Sequence, residues 1–443
     1  MGEEMYSNSI NRHSDHLRLF QLFRAVIIIA SCILFISLLF PLCSAKAANN
    51  TAFLPAIYHL LNSSNVGWKN TSLTHPIPLT YEGYDEEPLD KELRQCKVVQ
   101  VEDGYWIAFT RYYYGYLFLM KINLDGRTMI PPFQLTTVTN ATDGQYFYRF
   151  TLIPREDGGV QVLTTEWGGE VGTTKPDILH DYLLNRSGQI LHNEAVLTQR
   201  TLHSQGFKAL WATRTADGRT SFVALSDGAI WCGIYTNSSD ARTWEAVPAP
   251  LNGTGVWEYF AASYDPDLDR LYLMYSDYYK TSNGTFMTRW TPDGTREVLV
   301  DYTAQIGYVN DQYSYQLLPT PEGLLVSLPR YTSTYKFLLL NSNCTVAKEV
   351  NVNGLVVDTL SVGHMVTIDD QKTVRLVFRE RNTNGCKYAV FDLTGKLLIP
   401  KMDAAINDGT DTEMHPHVFV NGRRTTILYS GNKPGGYRKL ISP

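Results

Sequence analysis

With 443 residues the chain has room for two or three ordinary domains, or for one repeat domain with an extension. Its apolar content of 44% suffices for a full core, and its aromatic share of 12% suits half-buried sheet surfaces. A net charge of −5, with no basic cluster, argues against nucleic acid as a partner.

Residues 1–24 are polar and carry Arg12, Arg18 and Arg24. Ala25 to Ala45 holds no charge, is apolar all round and is long enough to cross a bilayer as a helix. Two readings stay open for this helix. Ala45-Lys46-Ala47 has the small-x-small form of a signal-peptidase site. The long polar leader and long apolar core instead suit an uncleaved anchor with a cytosolic N-terminus. Either way the remainder is expected in the secretory pathway, at the cell surface as a single-pass type II protein or secreted. Nine Asn-x-Ser/Thr sites follow the apolar run, at Asn49, Asn62, Asn70, Asn140, Asn185, Asn237, Asn252, Asn283 and Asn343. None precedes it, which fits a glycoprotein. Past residue 47 four cysteines remain: Cys96, Cys232, Cys344 and Cys386. An oxidising lumen permits up to two disulfides among them, in any of three pairings.

Residues 48–74 carry three of the sequons with little periodicity and read as a glycosylated stem. Residues 75–81 (HPIPLTY) alternate as a strand whose two prolines confine it to a sheet edge, and an acidic connector follows. From Cys96 a unit of about 50 residues repeats through the rest of the chain. Its most regular feature is a turn of Asp, Asn or Glu with Gly or another polar residue, running into a β-branched and aromatic strand. The copies start at Asp103, Asp157, Asp217, Asp267, Glu322, Asp370 and Asn421. A strand precedes each of these turns, and in six units a further turn and two more strands follow. Four-stranded units repeated in this way make residues 75–443 an all-β ectodomain of the β-propeller kind. The count predicts seven blades, with six blades and irregular ends as the alternative. The last unit runs out after a third strand, so 75–81 is expected to supply its outermost strand and close the ring.

Ser238-Ser239-Asp240-Ala241-Arg242-Thr243-Trp244 resembles the Asp-box of sialidases and related propellers, with one position missing and no glycine. The resemblance implies a structural turn between third and fourth strands, and little about activity. In known propellers the loops between second and third strands, together with those between units, share the binding face. On such loops stand Arg111, Arg330 and Arg379, with Asp227, Asp277 and Glu380, beside Tyr278, Tyr279 and Tyr331. Arginines with aromatic faces suit an acidic sugar or another anion. Ordinary rim residues in solvated ion pairs are the commoner explanation of the same set. Asp227, Asp277 and Glu380 are also the candidate carboxylates should the chain be a glycosidase, which needs two at a defined separation. Asp411, Glu413, His415 and His417 alternate beside His364 of the preceding unit, which makes His364, His415 and His417 candidate metal ligands. Histidines hydrogen-bonded inside a channel are the commoner case, and no cofactor is expected.

The catalytic signatures of hydrolases, zinc proteases and phosphate-binding loops are missing. The expectation is therefore a recognition module for a glycan or a protein. A sialidase-like glycoside hydrolase and a structural ectodomain of a surface assembly are the alternatives.

Overall fold

A computed structural model describes residues 77–78, 96–110, 117–135, 149–166, 177–199, 207–226, 229–247, 260–277, 284–306, 316–328, 334–356, 360–368, 372–380, 386–403, 414–421, 424–430 and 437–442. The apolar run of 25–45 and the stem of 48–74 lie outside the described residues. Among the described residues no helix is long and apolar enough to cross a membrane.

The short edge strand β1 (Ile77–Pro78) comes first in the chain. The first blade is β2 (Cys96–Val101), β3 (Gly104–Thr110), β4 (Leu117–Asn123) and β5 (Thr128–Gln134), hydrogen-bonded in that order. Its middle strands are apolar without alternation, because both of their faces are covered. Trp106 and Ala108 pack towards the second blade, while Tyr105, Ile107 and Phe109 pack towards the last. The outer strand β5 is largely open to solvent and carries two prolines, as an edge tolerates.

Five further blades repeat the order. The second is β6 (Phe150–Pro154), β7 (Val160–Glu166), β8 (Asp177–Leu184) and β9 (Ile190–Gln199). The third is β10 (Phe207–Arg214), β11 (Thr220–Ser226), β12 (Ala229–Tyr235) and β13 (Arg242–Val247). The fourth is β14 (Phe260–Asp265), β15 (Arg270–Asp277), β16 (Gly284–Trp290) and β17 (Arg296–Asp301), followed by one helical turn, α1 (Thr303–Ile306). The fifth is β18 (Gln316–Thr320), β19 (Gly323–Leu328), β20 (Lys336–Leu340) and β21 (Val346–Asn351). The sixth is β22 (Leu360–Ile368), β23 (Thr373–Glu380), β24 (Cys386–Asp392) and β25 (Leu397–Asp403).

Six blades are thus continuous in sequence. The seventh sheet is composite: β26 (Met414–Asn421), β27 (Arg424–Ser430) and β28 (Tyr437–Ser442) gain β1 at their outer edge. Ile77 stands opposite Lys439 and Pro78 opposite Arg438, so among the described residues two of the seven in 75–81 pair. The innermost strands β2, β6, β10, β14, β18, β22 and β26 neighbour one another in turn, and β26 returns to β2. That adjacency closes the propeller.

The core lies in the seams between blades. Each of the seven apolar clusters joins side chains of two adjacent blades, such as Phe150 with Trp106 or Leu428 with Tyr105. The tight turns depend on glycine where space or backbone leaves no alternative. A Cβ at Gly104 would stand 1.9 Å from the Ile122 carbonyl oxygen. Gly294 turns at φ 93° beneath the Trp244 ring. In the matching turn of the fifth blade Cys344 takes φ 61° in place of glycine, and its carbonyl accepts the Tyr302 hydroxyl.

This placement corrects the expected disulfides. Cys96, Cys232 and Cys344 are buried free thiols. They sit in three different seam clusters, so no two of them meet. Cys386 opens β24 opposite Arg379.

Candidate binding face

An antiparallel four-stranded blade puts its first and third turns on one face of the ring, and its second loop and outgoing connection on the other. The described turns lie on the first of these faces.

On the turn face, short polar side chains bind the backbone of their own turn. Asn123 Oδ1 accepts the N–H of Asp125 and of Arg127. Asp392 Oδ1 does the same for Thr394 and Lys396. The Asp-box-like stretch is such a turn, between β12 and β13, with Asp240 Oδ1 accepting the N–H of Thr236 and Asn237 at 2.8 and 2.9 Å. Charges on this face satisfy one another. Asp157 bonds Arg155 at 2.8 Å and Asp217 bonds Arg219 at 2.7 Å. These side-chain bonds hold both carboxyl groups at a pKa of about 2. Glu297 receives both Arg270 and Arg289.

Three sequons also lie on this face. In Asn185-Arg186-Ser187, Asn237-Ser238-Ser239 and Asn343-Cys344-Thr345 the asparagine Oδ1 accepts both the N–H and the hydroxyl of the third residue. The carboxamide oxygen is occupied in each case. Asn237 and Asn343 are exposed.

The loop face carries the residues singled out from the sequence. Asp277 ends β15, and Arg379 with Glu380 ends β23. All three are therefore at the loop-side ends of second strands. They stand on blades four and six, with blade five between, so the topology does not make Asp277 and Glu380 neighbours. Arg111, Asp227, Tyr278, Tyr279, Arg330 and Tyr331 lie outside the described residues. So do sequons Asn49, Asn62, Asn70, Asn140, Asn252 and Asn283.

The histidine set is arranged differently from a strict alternation. Strand β26 begins at Met414, and its register shifts between Met414 and His417, across His415. His417 is buried, with its ring stacked on Phe419 at 6.3 Å. His364 falls in the irregular stretch of β22 between Ser361 and Met365. Asp411 and Glu413 lie outside the described residues.

Sequence reasoning passed over two cations. Lys97 is the second residue of β2, and Arg149 immediately precedes β6, so both stand at the loop-side ends of innermost strands. Their neighbours on the same strands are buried apolar residues of the seam. The only available signal was a lysine in the apolar strand CKVVQV, which reads as an ordinary edge lysine until β2 is known to be innermost.

No protein-family model matches the chain, and no curated protein matches its sequence. Among solved structures it is similar to AofleA from Arthrobotrys oligospora, at 11% identity and a TM-score of 0.44, covering 72% of this chain and 88% of that one. It is similar to the SapL1 lectin in complex with alpha methyl fucoside, at 9% identity and a TM-score of 0.41, covering 71% and 96%. It is also similar to puromycin hydrolase, at 16% identity and a TM-score of 0.42, covering 81% and 53%.

Proposed function

We propose that the chain is a recognition module, a β-propeller that binds a glycan or a protein through its loop face. The supporting observation is where the chain places its long connections. On the turn face several described acids and bases pair with one another or bind their own turns. The loop face bears the long connections, the strand ends with Asp277, Arg379 and Glu380, and the exposed Lys97. Loops on a rigid scaffold are the usual carriers of binding.

We also read residues after 47 as displayed outside the cytosol with glycans on the turn face. That reading rests on the uncharged run of 25–45 and on three sequons held in exposed or half-exposed turns. Arg330 and Arg379 remain the arginines proposed to meet a large partner. A glycan array and a cell-surface capture screen with the full chain test this function. Arg330→Ala with Arg379→Ala is expected to weaken the partner found by at least about a hundredfold, since each charged hydrogen bond is worth about 1.5–3 kcal/mol. Unaltered binding by the double variant moves the site elsewhere. Glycosidase treatment of the protein made in a eukaryotic cell should lower its apparent mass, and no shift would rule against lumenal exposure.

A further inference from the structure

We infer that the outer strand of the second blade, β9, is an edge that pairs with a second copy of this chain, antiparallel and about a two-fold axis through Asn193.

The last strand of a blade leaves one row of backbone N–H and C=O groups without a neighbouring strand. Such an edge recruits another strand unless proline or a charged side chain, lysine above all, interrupts it. The other outer strands carry that protection. β5 has two prolines, β25 a proline and a lysine, and β21 a lysine. β13 and β17 each have an arginine, and β1 has a proline. β9 reads ILHNEAVLTQ and has no proline, lysine or arginine. At 10 residues it is the longest strand among the described residues, and no described strand lies beyond it in its sheet. Its register with β8 shifts on either side of 192–195, but a shift occurs in each of the other five continuous blades and does not set β9 apart.

The exposed side chains agree. Leu191 is 55% exposed and Ile190 is exposed beside it, the one adjacent pair of exposed large apolar residues among the described residues. His192, Asn193 and Ala195 are exposed as well.

The partner follows from how β9 would meet itself. Antiparallel strands related by a two-fold axis place one residue opposite itself, and residues counted outward from it face each other in pairs. His192 and Glu194 project to the same side of β9, with His192 Nε2 at 3.0 Å from Glu194 Oε1, and Ser238 of the third blade also bonds Glu194. A pairing centred on Glu194 would set carboxylate against carboxylate, and one centred on His192 would set ring against ring. Centred on Asn193, it sets His192 opposite Glu194 twice, donor to acceptor, and on the other face sets Leu191 against Ala195 twice. Only this register brings the imidazole directly across from the carboxylate. Complementary pairs across a ladder stabilise it and like charges destabilise it. The edge is therefore complementary to its own copy. It is shorter than a standard interface, so the dimer is a weak, concentration-dependent one.

The test is sedimentation of the full chain in detergent over a concentration series, with oxidative cross-linking of cysteine variants. The parent should pass from monomer to dimer as concentration rises. Asn193→Cys should give a disulfide-linked dimer that reductant reverses, because Cα atoms directly opposite in an antiparallel pair stand about 4.5–5.5 Å apart. Leu191→Cys faces Ala195 in this register and should link far less, whereas Leu191→Cys with Ala195→Cys should link again. These positions are exposed, so the fold is not at stake. Leu191→Lys puts a charge on the edge and should raise the dimer dissociation constant at least about tenfold. Leu299→Lys, on the exposed outer strand β17, should leave it unchanged. The inference is overturned if the parent stays monomeric, which would leave the edge to an extended peptide or to nothing. It is equally overturned if Asn193→Cys links no more than the parent, or if Leu191→Cys alone links as readily. Association of Leu191→Lys as tight as the parent's would place the contact elsewhere in the chain, the 25–45 run included, and overturn it too.

Discussion

Two neighbouring seams of the propeller bury ionisable groups at similar depth and handle them in opposite ways. Between blades one and two, Lys121 is 0% exposed and donates to Asp103 at 3.0 Å, to the Gly158 carbonyl at 3.0 Å and to the Arg186 carbonyl at 3.3 Å. Asp103 also receives Arg186 at 2.8 Å, and Trp106 donates its indole N–H to the same Gly158 carbonyl. Between blades two and three, Asp181 is 3% exposed and accepts from Gln161 at 2.7 Å and from the Tyr235 hydroxyl at 2.9 Å. Among the described residues no cation donates to it. The first seam is a satisfied ion pair and the second a carboxyl held by neutral donors. A buried charge persists only where opposite charge and enough donors surround it; otherwise burial favours the neutral form. Desolvation would raise the Asp103 pKa, yet the bonds and charges of Lys121 and Arg186 outweigh it and the net shift is downward. At Asp181 desolvation wins over both hydrogen bonds, aided by the negative charge of Glu194, and the pKa rises.

The sharpest way to break the first seam is Lys121→Met, which keeps length and bulk but removes the three donors. Taking one partner from a buried pair costs about 3–5 kcal/mol, and Asp103 would retain only Arg186. Denaturant unfolding should show that loss in full near pH 7. The sign with pH follows from the lowered pKa of Asp103. Its contribution is complete above the ordinary aspartate value of about 4 and is lost as pH falls through the lower folded value. Parent and variant should therefore converge in strong acid. A difference that stays constant down to acid pH would mean that packing, not charge, made the loss.

The second seam should respond in the opposite direction. With its folded pKa raised, Asp181 contributes stability that is complete below about pH 4 and is lost as pH rises through the folded value. The facing titratable groups are Glu194 and His192 on β9, Arg155 ahead of β7, and Tyr235 on β12. Asp181→Asn keeps the acceptor oxygen without the ionisation. It should be less stable than the parent in acid by about 1–3 kcal/mol, for an amide N–H left without an acceptor, and should gain on the parent as pH rises. Melting curves at several pH values check this. A gap that widens with pH would place an ionised, well-solvated aspartate at 181.

These seams also show what the sequence could reveal. The blades were legible because each repeats its turn: Asp103-Gly104, Asp157-Gly158 and Asp217-Gly218 recur ahead of β-branched strands, and local chemistry sets such turns. The composite last sheet was legible by counting, since β28 has no successor and 75–81 has prolines fit for an edge. The seam chemistry was not. Lys121 in LFLMKIN and Asp181 in DILHDYLL read as outward-facing residues of half-buried strands. Only the packing of a second blade against the third strand buries them. Lys97 was missed for the complementary reason, because an innermost strand gives an exposed residue an axis to face. The thiols were misread as disulfide partners because sequence gives their number and not the separate seams that hold them.

A third seam offers a milder test. Between blades three and four the Tyr264 hydroxyl donates to Asp269 at 2.6 Å and accepts the Ala216 N–H at 2.8 Å. Burial first, then the Asp269 bond, push its pKa up to about 12. The site is part-exposed, so water can replace what is lost. Tyr264→Phe should cost about 0.5–1.5 kcal/mol, the net worth of an ordinary hydrogen bond, with no pH dependence below pH 9. A loss as large as that of Lys121→Met would show that exposed turns brace this ring as strongly as buried ones.

The smallest effect is expected where the ring closes. β1 completes the last sheet, but the seam between that blade and the first has its own apolar cluster. Leu428 packs among Tyr105, Ile107 and Phe109 in that cluster, and Phe419 meets the Tyr105 ring at 5.1 Å. None of those residues belongs to β1. In β1 itself, Pro78 has no N–H to offer the ladder, so Ile77 opposite Lys439 supplies most of the pairing. One or two backbone bonds contribute about 0.5–1.5 kcal/mol each, against an ordering cost of about 1–2 kcal/mol for every residue fixed. Deleting residues 75–81 from the full chain should then lower global stability by no more than about 1 kcal/mol. Hydrogen exchange should rise at the β28 amides, now an open edge, and stay slow in β26 and β2. If exchange rises in β2 and β26 as well, the edge strand holds the ring shut and the apolar seam alone does not.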